Sequence, residues 1–134
     1  MKITLDSLQQ MLSQPTAYPQ GVINWALGQR QKYPERPHQP RNTPTTVEDA
    51  KIVLKQLEEY ERLKKIYDQD LTAIEEFNAE IEEAVVAFMM EESGLLTIPK
   101  QYQDGVYNYA WNQGHHLGHA EVYGHLVELV NIFE

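Results

Sequence analysis

Four of the chain's five histidines lie in one twelve-residue segment, Gly114–His125, together with three of its seven glycines. Histidine titrates near neutral pH and is the most common metal ligand in proteins. A cluster of this kind is typical of a metal site, a pH-sensitive switch or an anion pocket. It is equally typical of a close packing contact that carries no chemistry, so the spacing within the segment has to decide.

The metal interpretation rests on His115 and His119, which are four residues apart on one predicted helix face. The run His115–His119 resembles the H-E-x-x-H zinc-protease pattern, but His116 occupies the place of the glutamate that acts as general base. Glu121 and His125 share the same spacing and point away from the first pair. Since one helix cannot close a tetrahedral site, we expect neither a metal nor any other cofactor.

Packing and ligand binding are the two remaining interpretations of the segment. Gly114 and Gly118 are four residues apart, so they predict a close crossing with another backbone, flanked by His115 and His119. Small residues beside imidazole, phenol and indole groups are also typical of a ligand pocket. Packing is the favoured interpretation. The ligand-binding alternative assigns the pocket to Trp111, His115, Gly118, His119, Glu121 and Tyr123.

No pattern in the chain indicates catalysis. There is no glycine-rich phosphate loop, no serine nucleophile elbow and no supported pair of catalytic carboxylates. The chain also has no cysteine, which removes thiol nucleophiles, thiolate metal sites and disulfides. We therefore predict a protein that is not an enzyme.

The element that has to position this segment is a long helix. Residues 45–93 contain neither Gly nor Pro. Thr45 or Thr46 is placed to cap the start, and Gly94 to end the helix in a left-handed turn. The apolar residues between them recur with an average spacing of about 3.5, the period of a coiled coil. A break near Asp68–Asp70 is the alternative, because Asp can cap a restarted helix.

The length of this helix bears on self-association. About 45 helical residues rise about 67 Å, whereas a compact globule of this chain length has a diameter of about 36 Å. The helix must therefore break, or extend beyond the globule and find a partner for its apolar seam. We expect a homo-oligomer.

The other elements complete an all-α fold. A second helix is expected from an N-cap at Asp104 to about Phe133, with an apolar stripe that includes Trp111, His115, Val122 and Leu126. It would fold back on the long helix as an unequal helical hairpin. The predicted domains are an N-terminal arm of short helices (residues 1–33), a proline-rich strap (34–44) and the hairpin body (45–134). The strap is interpreted chiefly as a linker, and alternatively as lying along the acidic helices.

Charge limits the partners. The chain carries 11 basic and 20 acidic residues, a net charge of −9, which disfavours direct nucleic-acid binding. No apolar run approaches the roughly 18 residues of a membrane span, and no signal peptide is visible, so we expect a cytoplasmic protein without membrane contact. The acidity peaks in one predicted helical face, which comprises Glu75, Glu76, Glu80, Glu82 and Glu83.

One resemblance adds to these inferences. The strap, the long Tyr/Glu/Lys helix and the run Ala110–Tyr123 resemble a group of small uncharacterised tailed-phage proteins with a C-terminal Ala-Trp-x-x-Gly-His-x-x-Gly-x-x-Glu-Val core. The likeness covers residues 34–134, and Gly114, His115, Gly118 and Glu121 are among its matching positions. It implies a bacteriophage accessory protein in the cytoplasm of an infected bacterial host.

Three functions remain open on this basis. The first is a host defence inhibitor that acts by binding, through ligand sequestration of a nucleotide-like signal or by blocking a host defence protein. The second is an acidic decoy whose glutamate face imitates nucleic acid. The third is a structural or assembly protein of the phage particle.

Overall fold

The regular elements of this computed structural model, which describes residues 2–134, are all helical, as the sequence predicts. The long helix runs without interruption through Asp68–Asp70, so the alternative of a broken helix is wrong. The elements are α1 (Leu5–Leu12), α2 (Pro19–Gly28), α3 (Val47–Glu92), a single 3-10 turn (Leu95–Thr97), α4 (Lys100–Gly114) and α5 (His119–Phe133).

The chain forms two compact units, and their boundary falls inside α3. The first unit contains the residues up to Arg30 and the segment Asn78–Glu134. The second contains Gln31–Phe77. Helix α3 therefore contributes its first 31 residues, 47–77, to one unit and the rest to the other, and the N-terminal arm belongs with the C-terminal helices.

The second unit pairs the proline-rich strap with the first part of α3. Pro34, Pro37 and Pro40 are half-buried while the residues between them are exposed, which is the three-residue period of a polyproline helix with one face packed. Pro34 shares a cavity with Asp70, and Pro44 shares one with Asp49. The strap therefore runs antiparallel to α3 and packs on it, which favours the alternative interpretation over a free linker.

The strap changes the argument for an oligomer. Tyr60 and Tyr67 belong to the apolar residues of α3 that recur at the coiled-coil period and form the predicted seam. Both are half-buried and line cavities together with the strap prolines. The seam of the second unit thus has an intrachain partner in an extended segment rather than a second helix. Leu63 remains 40% exposed at the edge of this contact. Self-association stays a prediction, but an uncovered seam no longer motivates it.

The first unit holds the main core. Its largest fully buried side chains come from α1, α2, the end of α3, the 3-10 turn and α5, and they include Leu8, Ile23, Phe88 and Leu126. Within α3 the buried positions Ile81, Val85 and Phe88 lie three and four residues apart, so one face of the helix points into the core. This is the packing of the long helix against a C-terminal helix that the sequence predicts.

Both ends of α3 follow the predicted caps. The Thr46 hydroxyl oxygen accepts a hydrogen bond from the Asp49 N–H at 3.1 Å, and the Asp49 carboxylate accepts one from the Thr45 hydroxyl at 3.2 Å. At the other end, Gly94 has φ 81° and lies against the Val130 side chain. A left-handed glycine after the last turn is a common helix terminator.

The prediction of one C-terminal helix is wrong in detail, because residues 100–133 form two helices. The N-cap expected at Asp104 is also wrong, since α4 begins at Lys100 directly after Pro99, whose carbonyl oxygen accepts from the Tyr102 N–H at 2.9 Å. Residues 115–118 form the turn to α5, in which Gly118 has φ 111°. A residue with that backbone conformation cannot continue a right-handed helix.

The short N-terminal helices follow local signals. Thr4 caps α1 through a reciprocal pair of hydrogen bonds with Ser7. Pro19 opens α2 at its first position, where the missing N–H costs nothing. Within residues 2–134, no helix combines the length and apolar character needed to cross a bilayer.

Candidate functional site

The first unit carries an open groove of about 710 Å³, which we call the α3–α4 groove. Its lining comes from α3, α4 and the first residue of α5. Most of the lining side chains are apolar or aromatic. The lining residues are Ala79, Glu82, Glu83, Val86, Ala87, Met90, Tyr107, Asn108, Trp111 and His119.

The groove exists because α3 has a second apolar stripe. Ala79, Val86, Ala87 and Met90 are separated by seven, one and three residues, which places them on one side of the helix. The core positions of α3 lie on roughly the opposite side, so burial of the core leaves this stripe outside it. Helix α4 stands beside the stripe and forms the second wall.

Trp111 forms the aromatic part of that wall, and two histidines hold it. The His115 ring stacks on the indole, with ring centroids 5.3 Å apart and planes 11° apart. The His119 ring meets the indole edge-on, at 5.5 Å and 71°. The His115 Nδ1 atom lies 2.7 Å from the Trp111 carbonyl oxygen, so that nitrogen carries the proton and donates. The indole is thereby fixed in orientation, and it is half-buried in the lining of the groove.

The turn between α4 and α5 brings His119 back to Trp111. Gly114 ends α4, and a Cβ atom there would lie 2.7 Å from the backbone nitrogen of Val122. Gly114 therefore allows the close backbone approach that the sequence predicts. Gly118 does not, since a Cβ atom on it would meet nothing within 4 Å; its role is the positive φ. The predicted close crossing therefore depends on Gly114 alone.

Three charged or titratable groups meet at the His119 end of the groove. Arg30, two residues after the end of α2, forms an ion pair of 3.0 Å with Glu82 of α3. Burial lowers the pKa of His119; Glu82 opposes this effect and Arg30 adds to it. A lowered pKa favours the neutral imidazole, which can accept or donate a hydrogen bond. On α4, burial raises the pKa of the Tyr107 phenol, which therefore remains a hydrogen-bond donor.

The lowered pKa of His119 predicts a pH dependence of stability. In the unfolded chain the imidazole regains its ordinary pKa and binds protons that the folded state resists, so stability rises with pH. The His119 contribution is complete above the ordinary pKa of 6.5 and is lost as pH falls through the lower folded value. We expect His119→Gln to reduce the loss of melting temperature between about pH 7.5 and pH 5.5. Parallel melting profiles of the variant and the wild type would contradict this.

The structure brings only part of the predicted ligand-binding set together. Trp111 and His119 line the groove, and His115 supports Trp111 from outside it. Glu121 is exposed in the first turn of α5, and Tyr123 is buried, with the pKa of its phenol raised first by burial and then by Glu92. Neither of these two lines the groove. The predicted site therefore has its centre on α3 and α4 rather than on the histidine segment.

The predicted acidic face is exposed at all five glutamates. Glu82 and Glu83 line the groove, and Glu80 lies beside them on α3. Glu75 and Glu76 belong to the second unit. The groove thus has a negatively charged edge.

The sequence did not identify several of the groove residues, notably Val86, Met90 and Asn108. The stripe on α3 was visible in the sequence, because Val86 and Met90 follow Ala79 by seven and eleven residues and none of the three belongs to the predicted coiled-coil seam. Its neighbours on α4 could not be paired with it, because the register between α3 and α4 is a tertiary property. Within the part of the chain that the structure describes, no three His, Asp or Glu side chains converge as a metal site would require.

Fold and site define an all-helical protein with an open, mostly apolar groove next to a fixed tryptophan. The chain belongs to the family of unknown function DUF8546, whose family model matches residues 27–134. That match covers the strap, α3, α4 and α5 and therefore every residue that lines the groove. Neither the curated proteins nor the solved structures contain a match to the chain.

Proposed function

We propose that this protein acts by binding a target in the α3–α4 groove and catalyses no reaction. The groove itself is the observation that supports this: about 710 Å³ lies within the range of ligand-binding sites. Its side chains offer surface rather than reactive groups. Glu82 is engaged with Arg30, and His119 favours its neutral form.

The chemistry of the groove distinguishes the two kinds of target that the sequence leaves open. A nucleotide-like signal carries phosphates, which proteins bind with Lys, Arg or helix N-termini. The ten lining residues include two glutamates and neither Lys nor Arg, and the one helix N-terminus among them, at His119 of α5, has the Glu82 carboxylate nearby. We therefore favour a protein target over a nucleotide-like molecule.

The proposed setting follows the resemblance to tailed-phage proteins. We propose that the protein is a phage accessory protein that works in the cytoplasm of an infected bacterial host and blocks a host defence protein. We retain the homo-oligomer as part of this proposal, and sedimentation of the purified chain measures it directly.

The proposal predicts that one groove substitution abolishes capture of the target. Val86 is half-buried in the groove wall, so Val86→Glu places a charge where an apolar surface must be desolvated. We expect affinity purification from host lysate to recover a target with the wild type and at least about tenfold less with the variant, a loss of about 1.4 kcal/mol or more.

Leu54→Glu is the matched control. It makes the same change in charge on the same helix, at a residue that is 57% exposed and outside the groove. We expect this variant to recover the target as the wild type does. Recovery that is equal for the wild type and Val86→Glu, with both proteins folded by circular dichroism, would contradict the groove as the binding site.

An acidic decoy is the second candidate, because all five glutamates of the predicted face are exposed. In that case the targets are DNA-binding proteins, and neutralising the face has to release them. The variant with Glu75, Glu76, Glu80, Glu82 and Glu83 changed to Gln tests this. Capture of DNA-binding proteins that survives these five substitutions would exclude the decoy.

A further inference from the structure

Beyond the existence of a binding groove, we infer the kind of partner that it takes: a basic amphipathic helix of another protein. This inference rests on the proposed function and specifies it. Three properties of the groove support it, namely the spacing of the apolar stripe on α3, the charge of the groove and its aromatic wall on α4.

The apolar stripe of α3 has the length and spacing of a surface that binds another helix. The apolar stripe of α3 extends from Ala79 to Met90, eleven residues apart, which is a rise of about 16 Å or three turns. Ala79 and Ala87 are small enough for a second helix to approach within the usual 8–10 Å between helix axes. An amphipathic helix laid into a hydrophobic groove is a recurring recognition mode, with anchors at positions i, i+3 or i+4, and i+7.

The charge of the groove selects a basic helix. Glu82 and Glu83 line it, both are exposed, and Glu80 lies beside them. Of these three glutamates, Glu82 is the only one that takes part in an ion pair within the described residues, and its partner is Arg30. Lysines or arginines next to the apolar anchors of the partner would therefore meet negative charge in the part of the stripe between Ala79 and Val86. An acidic or neutral helix gains nothing from this edge, and a phosphate is repelled by it.

The aromatic wall fits the same partner. The indole of Trp111 and the phenol ring of Tyr107 stand opposite the apolar stripe. Aromatic rings bind aliphatic anchors through apolar contact and attract lysine or arginine cations through their faces. Since His115 and His119 hold the indole in place, little conformational entropy is lost when a partner packs on it.

The test uses a synthetic helix as the probe. The peptide has about 18 residues, with leucines spaced at three and four and lysines elsewhere, which gives one apolar and one basic face. One control peptide has the same composition with the leucines scattered around the helix. A second control has glutamate in place of every lysine. Fluorescence of Trp111 in a Trp25→Phe background, with circular dichroism of the peptide, reports on binding.

We expect the lysine peptide to bind with a shift of the Trp111 emission and a gain of helix, and both control peptides to bind at least about tenfold more weakly. Binding should weaken as salt is raised from about 50 to 500 mM, because exposed charges are screened. Equal binding of the scattered peptide would mean simple charge attraction and would overturn the inference, as would a preference for the glutamate peptide.

Protein variants locate the contact. Ala79 is an exposed residue of the apolar stripe, so Ala79→Lys tests the site with little risk to folding. Leu54→Lys, at an exposed residue of α3 outside the groove, is its control. We expect Ala79→Lys to bind the lysine peptide about tenfold more weakly than the wild type, and Leu54→Lys to bind it as tightly as the wild type. Glu83→Gln should weaken binding about threefold, whereas Glu58→Gln, exposed on α3 outside the groove, should not. Unchanged binding by Ala79→Lys would overturn the inference.

The experiment also separates this inference from the proposed function. If the lysine peptide fails to bind while capture of a host protein still depends on Val86, the groove is a binding site for another partner and only the inference is wrong. If the peptide fails and Val86→Glu also leaves capture unchanged, both are wrong. Sedimentation that shows a dimer lost in Ala79→Lys would identify a second copy as the occupant and overturn the inference.

Discussion

Alanine at Gly114 is expected to destabilise the protein by about 3 kcal/mol or more, because overpacking a close contact costs 1–3 kcal/mol and backbone neighbours cannot move aside as side chains do. The added Cβ atom would lie 2.7 Å from the Val122 nitrogen and 2.9 Å from the Glu121 carbonyl carbon. Relief of these contacts requires α5 to move away from α4. The melting temperature should fall by about 10 °C.

Gly105→Ala is the control for this experiment. Gly105 lies in the interior of the same helix, and an added Cβ atom there would meet nothing within 4 Å. Alanine is the better helix former, so this variant should gain about 0.5–1 kcal/mol. Opposite signs for the two substitutions would establish the close contact of α4 with α5. Equal effects of Gly114→Ala and Gly105→Ala would contradict it.

Alanine at Gly118 is expected to cost about 1–3 kcal/mol, although an added Cβ atom would meet nothing within 4 Å. The cost arises from the backbone, since φ 111° and ψ 173° define a region that is essentially reserved for glycine. Leucine at the same position should cost about as much as alanine, because the space around the residue is open. Thermal or denaturant unfolding measures both variants.

This comparison separates two explanations for the same glycine. A close helix crossing predicts that leucine at position 118 is far worse than alanine, whereas a backbone requirement predicts similar costs. The structure supports the second explanation and assigns the steric one to Gly114. A loss that rises steeply from Gly118→Ala to Gly118→Leu would contradict the geometry of the turn.

Features encoded by neighbouring residues were predictable from the sequence. The all-helical class, the uninterrupted α3, its Thr46 cap and its end at Gly94 follow from signals that lie within one or two turns of each other. Such signals act through local hydrogen bonds and backbone preferences. The C-terminal stripe was misleading for the same reason: the apolar period of three and four continues across Gly118, although the helix is interrupted there.

The candidate site was predictable only in part. Trp111 and His119, two of the predicted ligand-binding residues, line the groove, and they drew attention because aromatic and imidazole groups beside glycines are visible along the chain. Tyr123 was placed in the site by its proximity in sequence, yet it is buried and lines no part of the groove. Val86 and Asn108 were not identified, since they belong to different helices whose pairing no local signal reports.

The sequence by itself determined that this chain is helical and acidic, with a long α3 that carries more apolar surface than one core can bury. The tertiary structure decided how that surface is used. The strap packs on α3 in the second unit, the core covers one face of it in the first, and the stripe from Ala79 to Met90 is left beside Trp111. The reason is physical: periodicity reports which residues share a helix face, whereas the choice of the face that stays open depends on competition between distant segments for the same apolar surface.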